Sequence, residues 1–146
     1  MNRNAFIIPA AILIVFLFSS ISSSQVVGKI YSQDDANKLF GDVLGTVTMN
    51  RSELLPILSQ TQNYVMFRVA ADEFIILGDG RKVLYPIGKS VNLNDVFYVV
   101  SKSKVTELLN LSASIKVNFE VRQKTQTVTS GTFTLEEALL CPPFCP

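Results

Sequence analysis

The chain contains no histidine and no tryptophan, and only two of its 146 residues are cysteines. Without histidine it cannot form a Ser-His-Asp triad, a Cys-His dyad or a histidine proton shuttle, and it lacks the commonest protein ligand of metal ions. A net charge of +1 and an aromatic content of 10% provide no basic, stacking surface of the kind that binds nucleic acid. We therefore expect no catalytic residues, no cofactor, no resident metal and no nucleic-acid partner.

The first residues have the order of a secretory signal peptide. Arg3 is followed by the uncharged run Ala5–Phe18 and then by the small polar segment Ser19–Ser24. This order of basic start, short apolar run and small residues precedes a signal-peptidase cut. The apolar run is shorter than the roughly 20 residues that span a bilayer comfortably. We predict a signal peptide at 1–24 and an exported protein, periplasmic or secreted; an uncleaved leader is the alternative and the only membrane contact expected.

The segment 25–140 alternates between helical and strand patterns and is predicted to form one α+β domain. Ser32 caps a helix whose apolar face is formed, at helical spacing, by Ala36, Leu39, Phe40, Val43 and Leu44. A second helix is predicted to be capped by Asn50 or Ser52 and a third by Ser101 or Ser103. Thr134–Glu137 matches a capping box that opens a short helix. Of these four candidates, we expect two or three to pack as helices on a sheet.

Apolar or alternating runs predict strands at 46–49, 64–70, 73–77, 82–85, 95–100 and 115–122. Gly78-Asp79-Gly80 stands between two of these runs and predicts a hairpin. With the helices, these strands predict a single antiparallel or mixed sheet of about five to seven strands, with the helices packed on it.

A weak internal similarity suggests a duplication. Ser52-Glu-Leu-Leu and Thr106-Glu-Leu-Leu each lead into a strand, and each is preceded by a strand. We therefore consider two strand–helix–strand–strand repeats within one mixed sheet, against the alternative that capped leucine-rich helices resemble one another by chance.

The threonine-rich segment 125–134 is predicted to form an edge strand or a solvent-facing strand. The backbone groups of an exposed edge are unpaired, so that another chain can add to the sheet there. Phe133 and Phe144 could supply side-chain contacts. The sequence accordingly favours a small exported, non-enzymatic binding or assembly module that contacts a protein partner or a second copy of itself.

Cys141 and Cys145 belong to a Cys/Pro tail at 141–146 with the sequence Cys-Pro-Pro-Phe-Cys-Pro. In an exported protein, two cysteines predict a disulfide, which would join Cys141 to Cys145 or, as the alternative, join the tail to another molecule. An extended path of about 3.1 Å per residue would place their Cα atoms about 12 Å apart, whereas a disulfide needs about 4.4–6.8 Å. The tail must therefore turn, and so small a ring would stabilise the fold only weakly and would chiefly fix the shape of the tail.

The same six residues resemble the copper-site motif of Sco-type copper chaperones. The resemblance implies Cu(I) held by Cys141 and Cys145, and two thiolates suffice for a linear Cu(I) site. An envelope protein that handles thiol redox chemistry or Cu(I) is thus the alternative function. A further alternative is an enzyme with a serine nucleophile and a lysine base, for which Ser101-x-Ser103-Lys104 contains the residue types.

Overall fold

A computed structural model describes residues 24–146 of the chain. Positions 1–23 of the predicted leader therefore lie outside the described residues. The helices are α1 (Gln33–Phe40), α2 (Arg51–Leu58) and α3 (Lys102–Leu111). The strands are β1 (Lys29–Ser32), β2 (Val43–Asn50), β3 (Tyr64–Val69), β4 (Phe74–Gly78), β5 (Lys82–Tyr85), β6 (Phe97–Ser101), β7 (Lys116–Arg122), β8 (Gln126–Ser130), β9 (Phe133–Glu136) and β10 (Leu139–Cys141). None of these helices is long and apolar enough to cross a membrane.

The strands form two antiparallel five-stranded sheets. Sheet I has the order β1-β9-β8-β7-β2, and sheet II has the order β10-β6-β3-β4-β5. The predicted α+β single-domain class is confirmed, but the strands are divided between two sheets and do not lie in one. The hairpin predicted at Gly78-Asp79-Gly80 joins β4 to β5.

The main hydrophobic core lies between the two sheets and is closed by α2 and α3. Phe67 of sheet II meets Phe119 of sheet I in an edge-to-face contact with ring centroids 5.4 Å apart. A second apolar cluster covers the outer face of sheet II, where Met66, Phe97 and Val99 are fully buried. The C-terminal tail completes this second cluster through Cys141 and Phe144.

Two strand–helix–strand–strand units are present in the described chain, β2-α2-β3-β4 and β6-α3-β7-β8. In the first unit, β2 lies in sheet I and β3 and β4 lie in sheet II; in the second unit, β6 lies in sheet II and β7 and β8 lie in sheet I. The first strand of each unit therefore pairs with the second strand of the other unit, β2 with β7 and β6 with β3. The predicted element order is therefore confirmed, but the single mixed sheet expected from it is wrong, because each helix carries the chain across to the opposite sheet.

The contacts between the two units are reciprocal. The N–H of Arg51, which begins α2, donates to the Ile115 carbonyl at 2.8 Å, and the N–H of Lys102, which begins α3, donates to the Asn63 carbonyl at 2.8 Å. Equally, the Arg51 side chain donates to the Ser112 carbonyl and the Lys102 side chain donates to the Thr61 carbonyl. Such reciprocity is what an approximate two-fold relation between the units produces.

Two glycines occupy corresponding positions in the two units, each packed against a hydroxyl side chain that follows the helix. A Cβ atom on Gly78 would lie 2.7 Å from the Thr61 hydroxyl, and one on Gly131 would lie 2.7 Å from the Ser112 hydroxyl. The two Glu-Leu-Leu motifs are not equivalent in the same way, since Ser52 is the second residue of α2 and Thr106 is the fifth residue of α3.

Two helix predictions are wrong in part or in full. The first helix ends at Phe40 and is capped by Gly41, so that Val43 and Leu44 belong to β2 and Leu39 is 49% exposed. The capping-box segment 134–137 forms no helix, because its first residues lie in β9 and pair with β8 and β1. The tail consequently follows a strand.

Candidate functional site

The threonine-rich segment 125–134 does not form the exposed edge that its composition predicts. It forms β8 in the middle of sheet I and the first two of the four residues of the neighbouring β9. Thr127, Thr129 and Thr134 are at most 2% exposed. The prediction is wrong because α1 packs over this face of the sheet, with Ala36 fully buried, so that polar side chains are covered there.

The covered threonines belong to a hydrogen-bonded layer around a buried ion pair. Arg122 donates through Nη2 to Glu120 Oε2 at 2.7 Å. The hydroxyls of Thr127 and Thr129 donate to the same oxygen at 3.1 and 2.9 Å. Arg122 also donates to Asn37 of α1 at 2.7 Å. Buried polar groups need such partners, and the bond to Asn37 joins this layer to α1. We therefore infer that the layer fixes the position of α1 on sheet I.

Within residues 24–146, sheet I has two edge strands, β1 and β2, and β2 is the longer of them. Its eight residues make it the longest strand of the described chain, and within residues 24–146 no strand pairs with it on the side away from β7. The Arg51 N–H points to Ile115 beside β7, and backbone groups alternate in direction along a strand. The N–H and C=O groups of Thr46 and Thr48 therefore point away from the sheet.

A groove of about 400 Å³ runs beside this edge and separates it from the end of β3. The lining residues are Leu44, Gly45, Thr46, Val47, Val69, Ala70, Ala71 and Val121. Leu44 is 67% exposed and stands at a bulge in the pairing of β2 with β7. In the described part of the chain, the edge thus combines backbone groups that have no strand partner with a groove lined mainly by apolar residues.

The corresponding edge of sheet II is occupied. In the second unit, β6 takes the place of β2, and β10 pairs with its outer side through Leu139 with Val99 and Cys141 with Phe97. The reciprocal relation between the units makes Thr48 and Thr46 the counterparts of Val99 and Phe97. Within residues 24–146, the two sheets therefore differ at these equivalent edges, since β6 is covered by β10 and the outer side of β2 has no partner.

The predicted disulfide is present between Cys141 and Cys145, whose Cα atoms are 4.8 Å apart. The peptide bonds before Pro142 and Pro143 are both cis, and the tail turns as the pairing requires. The Phe144 ring packs edge-to-face on Tyr64 with centroids 5.6 Å apart, and the Gly80 N–H donates to the Pro146 carbonyl at 2.7 Å. The tail is thus folded onto sheet II.

Arg81 lies next to the disulfide, a contact that spacing in the sequence does not reveal. Its Nη1 is 2.8 Å from Cys141 Sγ and 3.7 Å from Cys145 Sγ. The sulfurs are joined to each other and present no thiolate for Cu(I) in this form, so that the copper site implied by the Sco-type resemblance would need prior reduction.

Loop 86–96 is fastened over sheet II by a group of charges. Lys89 Nζ is 2.7 Å from Glu73, and Arg68 binds both Glu73 and Asp95, the latter at 3.2 Å. The Asn92 N–H and the Arg68 guanidinium hold the pKa of the Asp95 carboxyl below its usual value. These groups position the loop whose carbonyls, in turn, hold Arg81.

The serine and lysine considered for catalysis are engaged separately. The Ser101 hydroxyl accepts the Val27 N–H at 2.8 Å, and the Lys104 ammonium binds Glu107 at 2.7 Å. Ser101 thereby anchors the segment before β1 to the end of β6.

Comparisons of this chain with protein-family models, with curated proteins and with solved structures give no match.

Proposed function

We propose that the protein is a small exported binding or assembly module that joins a protein partner, or a second copy of itself, by strand addition to β2. In strand addition, an extended segment of another chain pairs with the unpaired backbone groups of an edge strand, and its alternate side chains enter neighbouring pockets. The protein would act by contact and would need no catalytic group.

The observation that carries this proposal is the difference between two equivalent edges. The outer side of β6 is completed by β10, whereas the outer side of its counterpart β2 has no strand within residues 24–146. A strand from outside the described chain can therefore complete sheet I in the same antiparallel manner.

The composition of β2 also favours pairing. Natural edge strands are usually protected by charged residues, proline or short length. β2 has eight residues with the sequence VLGTVTMN, which includes no charged residue and no proline. The groove beside it, which Ala70 and Ala71 help to line, has space for the side chains of an added strand.

Export rests on separate support. The order of residues in 1–24 is that of a signal peptide, and disulfides such as Cys141–Cys145 persist mainly in oxidising compartments. The intact mass of the protein from its source cells tests this part: a mature chain beginning near Gln25 supports it, and a chain that retains 1–24 in the cytosol contradicts it.

Strand addition can be tested by site-specific photo-cross-linking in the source cells. A photoreactive residue replaces Leu44, which is exposed beside the groove. We expect a discrete cross-linked species, whose mass distinguishes a partner from a second copy. Adding Thr48→Pro to this variant removes a backbone N–H that points away from the sheet. Edge strands tolerate proline at such a position, so the fold should be kept while the cross-linked species is lost.

The matched control is Thr48→Val, which loses the same side-chain hydrogen bond to Asn118 but keeps the backbone donor. The control should retain the cross-link. Equal cross-linking in the proline and valine variants would contradict strand addition. So would the absence of any cross-link in the protein that carries only the photoreactive residue at position 44.

A further inference from the structure

The two sulfurs of the disulfide lie in different surroundings. Cys141 is fully buried and is held in β10 by its pairing with Phe97. Cys145, in contrast, is exposed. A thiolate approaching from solvent therefore reaches Cys145 Sγ, and Cys141 Sγ is the sulfur placed to leave.

The guanidinium beside Cys141 is fixed by neutral groups. Arg81 Nη2 donates to the Asn92 carbonyl at 2.7 Å, and both terminal nitrogens lie within 3.4 Å of the Asp95 carbonyl. Its Cζ atom lies 5.2 Å from the centroid of the Phe97 ring. Among residues 24–146, no carboxylate lies within ion-pair distance of Arg81. The nearby Asp95 carboxylate, whose pKa Arg81 helps to lower, is paired with Arg68 at 3.2 Å. The guanidinium can therefore still interact with an anion at Cys141, with which it is in direct contact.

We propose that the Cys141–Cys145 disulfide is a thiol-exchange site, in which an external thiolate attacks Cys145 and Arg81 stabilises Cys141 as the departing thiolate. The reactant is a small thiol or a protein dithiol. This inference does not depend on strand addition at β2, which lies in the other sheet.

The exchange proceeds in two balanced steps. The external thiolate forms a bond to Cys145 Sγ while the Cys141–Cys145 bond breaks, and its electron pair leaves on Cys141 Sγ. A second donor thiolate then attacks the donor sulfur of the mixed disulfide and releases Cys145 as a thiolate. The donor is oxidised to a disulfide, and the protein gains two electrons.

The packing of the tail suits a reversible reaction. Cys141 is held by strand pairing, and Phe144 is held against Tyr64. These contacts do not require the sulfur–sulfur bond, so that Cys141 stays beside Arg81 and can return to attack the mixed disulfide on Cys145. A positive group next to a thiolate favours the charged form, and a better leaving thiolate speeds exchange.

The first test compares Arg81→Gln with Lys82→Gln, which removes the same charge from the adjacent exposed residue. Each full chain is equilibrated with glutathione redox buffers, and the fraction reduced is measured by mass after alkylation. Arg81→Gln removes the charged hydrogen bond between the guanidinium and the Cys141 thiolate of the reduced protein. We therefore expect this variant to lower the equilibrium constant for reduction at least about tenfold. The constant of Lys82→Gln should stay near that of the parent protein. Equal constants in both variants would overturn the inference.

A second test uses the parent protein and does not depend on whether the Arg81 variant folds. The protein is treated briefly with glutathione and quenched in acid, and the position of the attached glutathione is mapped by mass spectrometry. We expect it on Cys145; attachment mainly on Cys141 would overturn the proposed order of attack.

A third measurement separates stabilisation of the thiolate from a merely structural role of Arg81. In Cys145→Ser, the thiolate of Cys141 is titrated by its ultraviolet absorbance, with and without Arg81→Gln. The titration should move to higher pH when Arg81 is removed. An unchanged titration would assign Arg81 to packing alone and contradict the proposal.

Discussion

At the residue scale, the buried pair of Glu120 and Arg122 decides how α1 sits on sheet I. The Arg122 guanidinium joins the carboxylate at 2.7 Å to Asn37 of α1, and both charged side chains are at most 5% exposed. Removing one partner leaves an uncompensated buried charge, whereas replacing both by apolar groups avoids that cost.

We expect Arg122→Met to lower the free energy of unfolding by about 3–5 kcal/mol. The double variant Glu120→Met with Arg122→Met should be more stable than Arg122→Met alone, because no carboxylate is then stranded. Urea unfolding of the parent and the two variants checks this. A double variant less stable than the single one would show that the layer does not work as a charge pair.

Asp79 holds the turn before β3. Partial burial raises the pKa of its carboxyl, but the N–H groups of Asn63, Gln62 and Tyr64 outweigh burial and hold the pKa below its usual value. The folded protein therefore binds this proton less readily than the unfolded chain does. The resulting stabilisation is present above the unfolded pKa of about 3.9 and is lost as the pH falls through the folded value.

Asp79→Asn should lower the free energy of unfolding at pH 7 by about 1–2 kcal/mol, since backbone donors lose a charged acceptor. The difference from the parent should narrow at pH 3, because Asp79 of the unfolded chain is then largely protonated and the stabilisation from the lowered folded pKa is partly lost. Urea unfolding at the two pH values tests this, with Asp72→Asn, an exposed position before the start of β4, as the control. A difference that stays constant between pH 7 and pH 3 would contradict the assignment.

At the element scale, the hairpin β4–β5 needs a glycine at its start. A Cβ atom on Gly78 would lie within 2.8 Å of two Thr61 atoms, and Thr61 Oγ1 both donates to the Tyr64 carbonyl and accepts the Asp79 N–H. The close approach thus protects the contact by which the end of α2 joins sheet II.

Gly78→Ala should destabilise the protein by about 1–3 kcal/mol, because Thr61 has to move and its hydrogen bonds lengthen. Gly45→Ala is the matched control, since an added Cβ there meets nothing within 4 Å, and its effect should stay within about 0.5 kcal/mol. Thermal or urea unfolding of both variants provides the measurement. Equal stability of the two would show that the Gly78 contact is unimportant.

Local signals in the sequence predict several elements well and fail where distant contacts decide. Ser32 caps α1 and Gly78-Asp79-Gly80 forms the predicted hairpin, because both patterns act over a few residues. The helix predicted at Thr134 is a strand because neighbouring strands on both sides take up its backbone groups. The composition of segment 125–134 predicts a solvent-facing strand, because the sequence does not show that α1 covers this segment in the fold.

At the scale of the whole molecule, two strand–helix–strand–strand units exchange strands between two sheets. The order of the elements is visible in the sequence, but the assignment of each strand to a sheet depends on pairings such as β2 with β7 that are distant along the chain. The candidate site likewise has features that the sequence predicts and features that depend on the packed fold. The disulfide is predictable from two cysteines, whereas the open edge of β2 and the position of Arg81 emerge only from the packed fold.

The central claim is that β2 is an open edge that another strand completes as β10 completes β6. The most direct measurement is amide hydrogen exchange, resolved by residue, in the isolated protein and in its cross-linked complex. The claim predicts fast exchange at Thr46 and Thr48 in the isolated protein, slow exchange at their counterparts Phe97 and Val99, and slow exchange at all four in the complex. Protection of Thr46 and Thr48 in the isolated monomer, or their unchanged fast exchange in the complex, would contradict it.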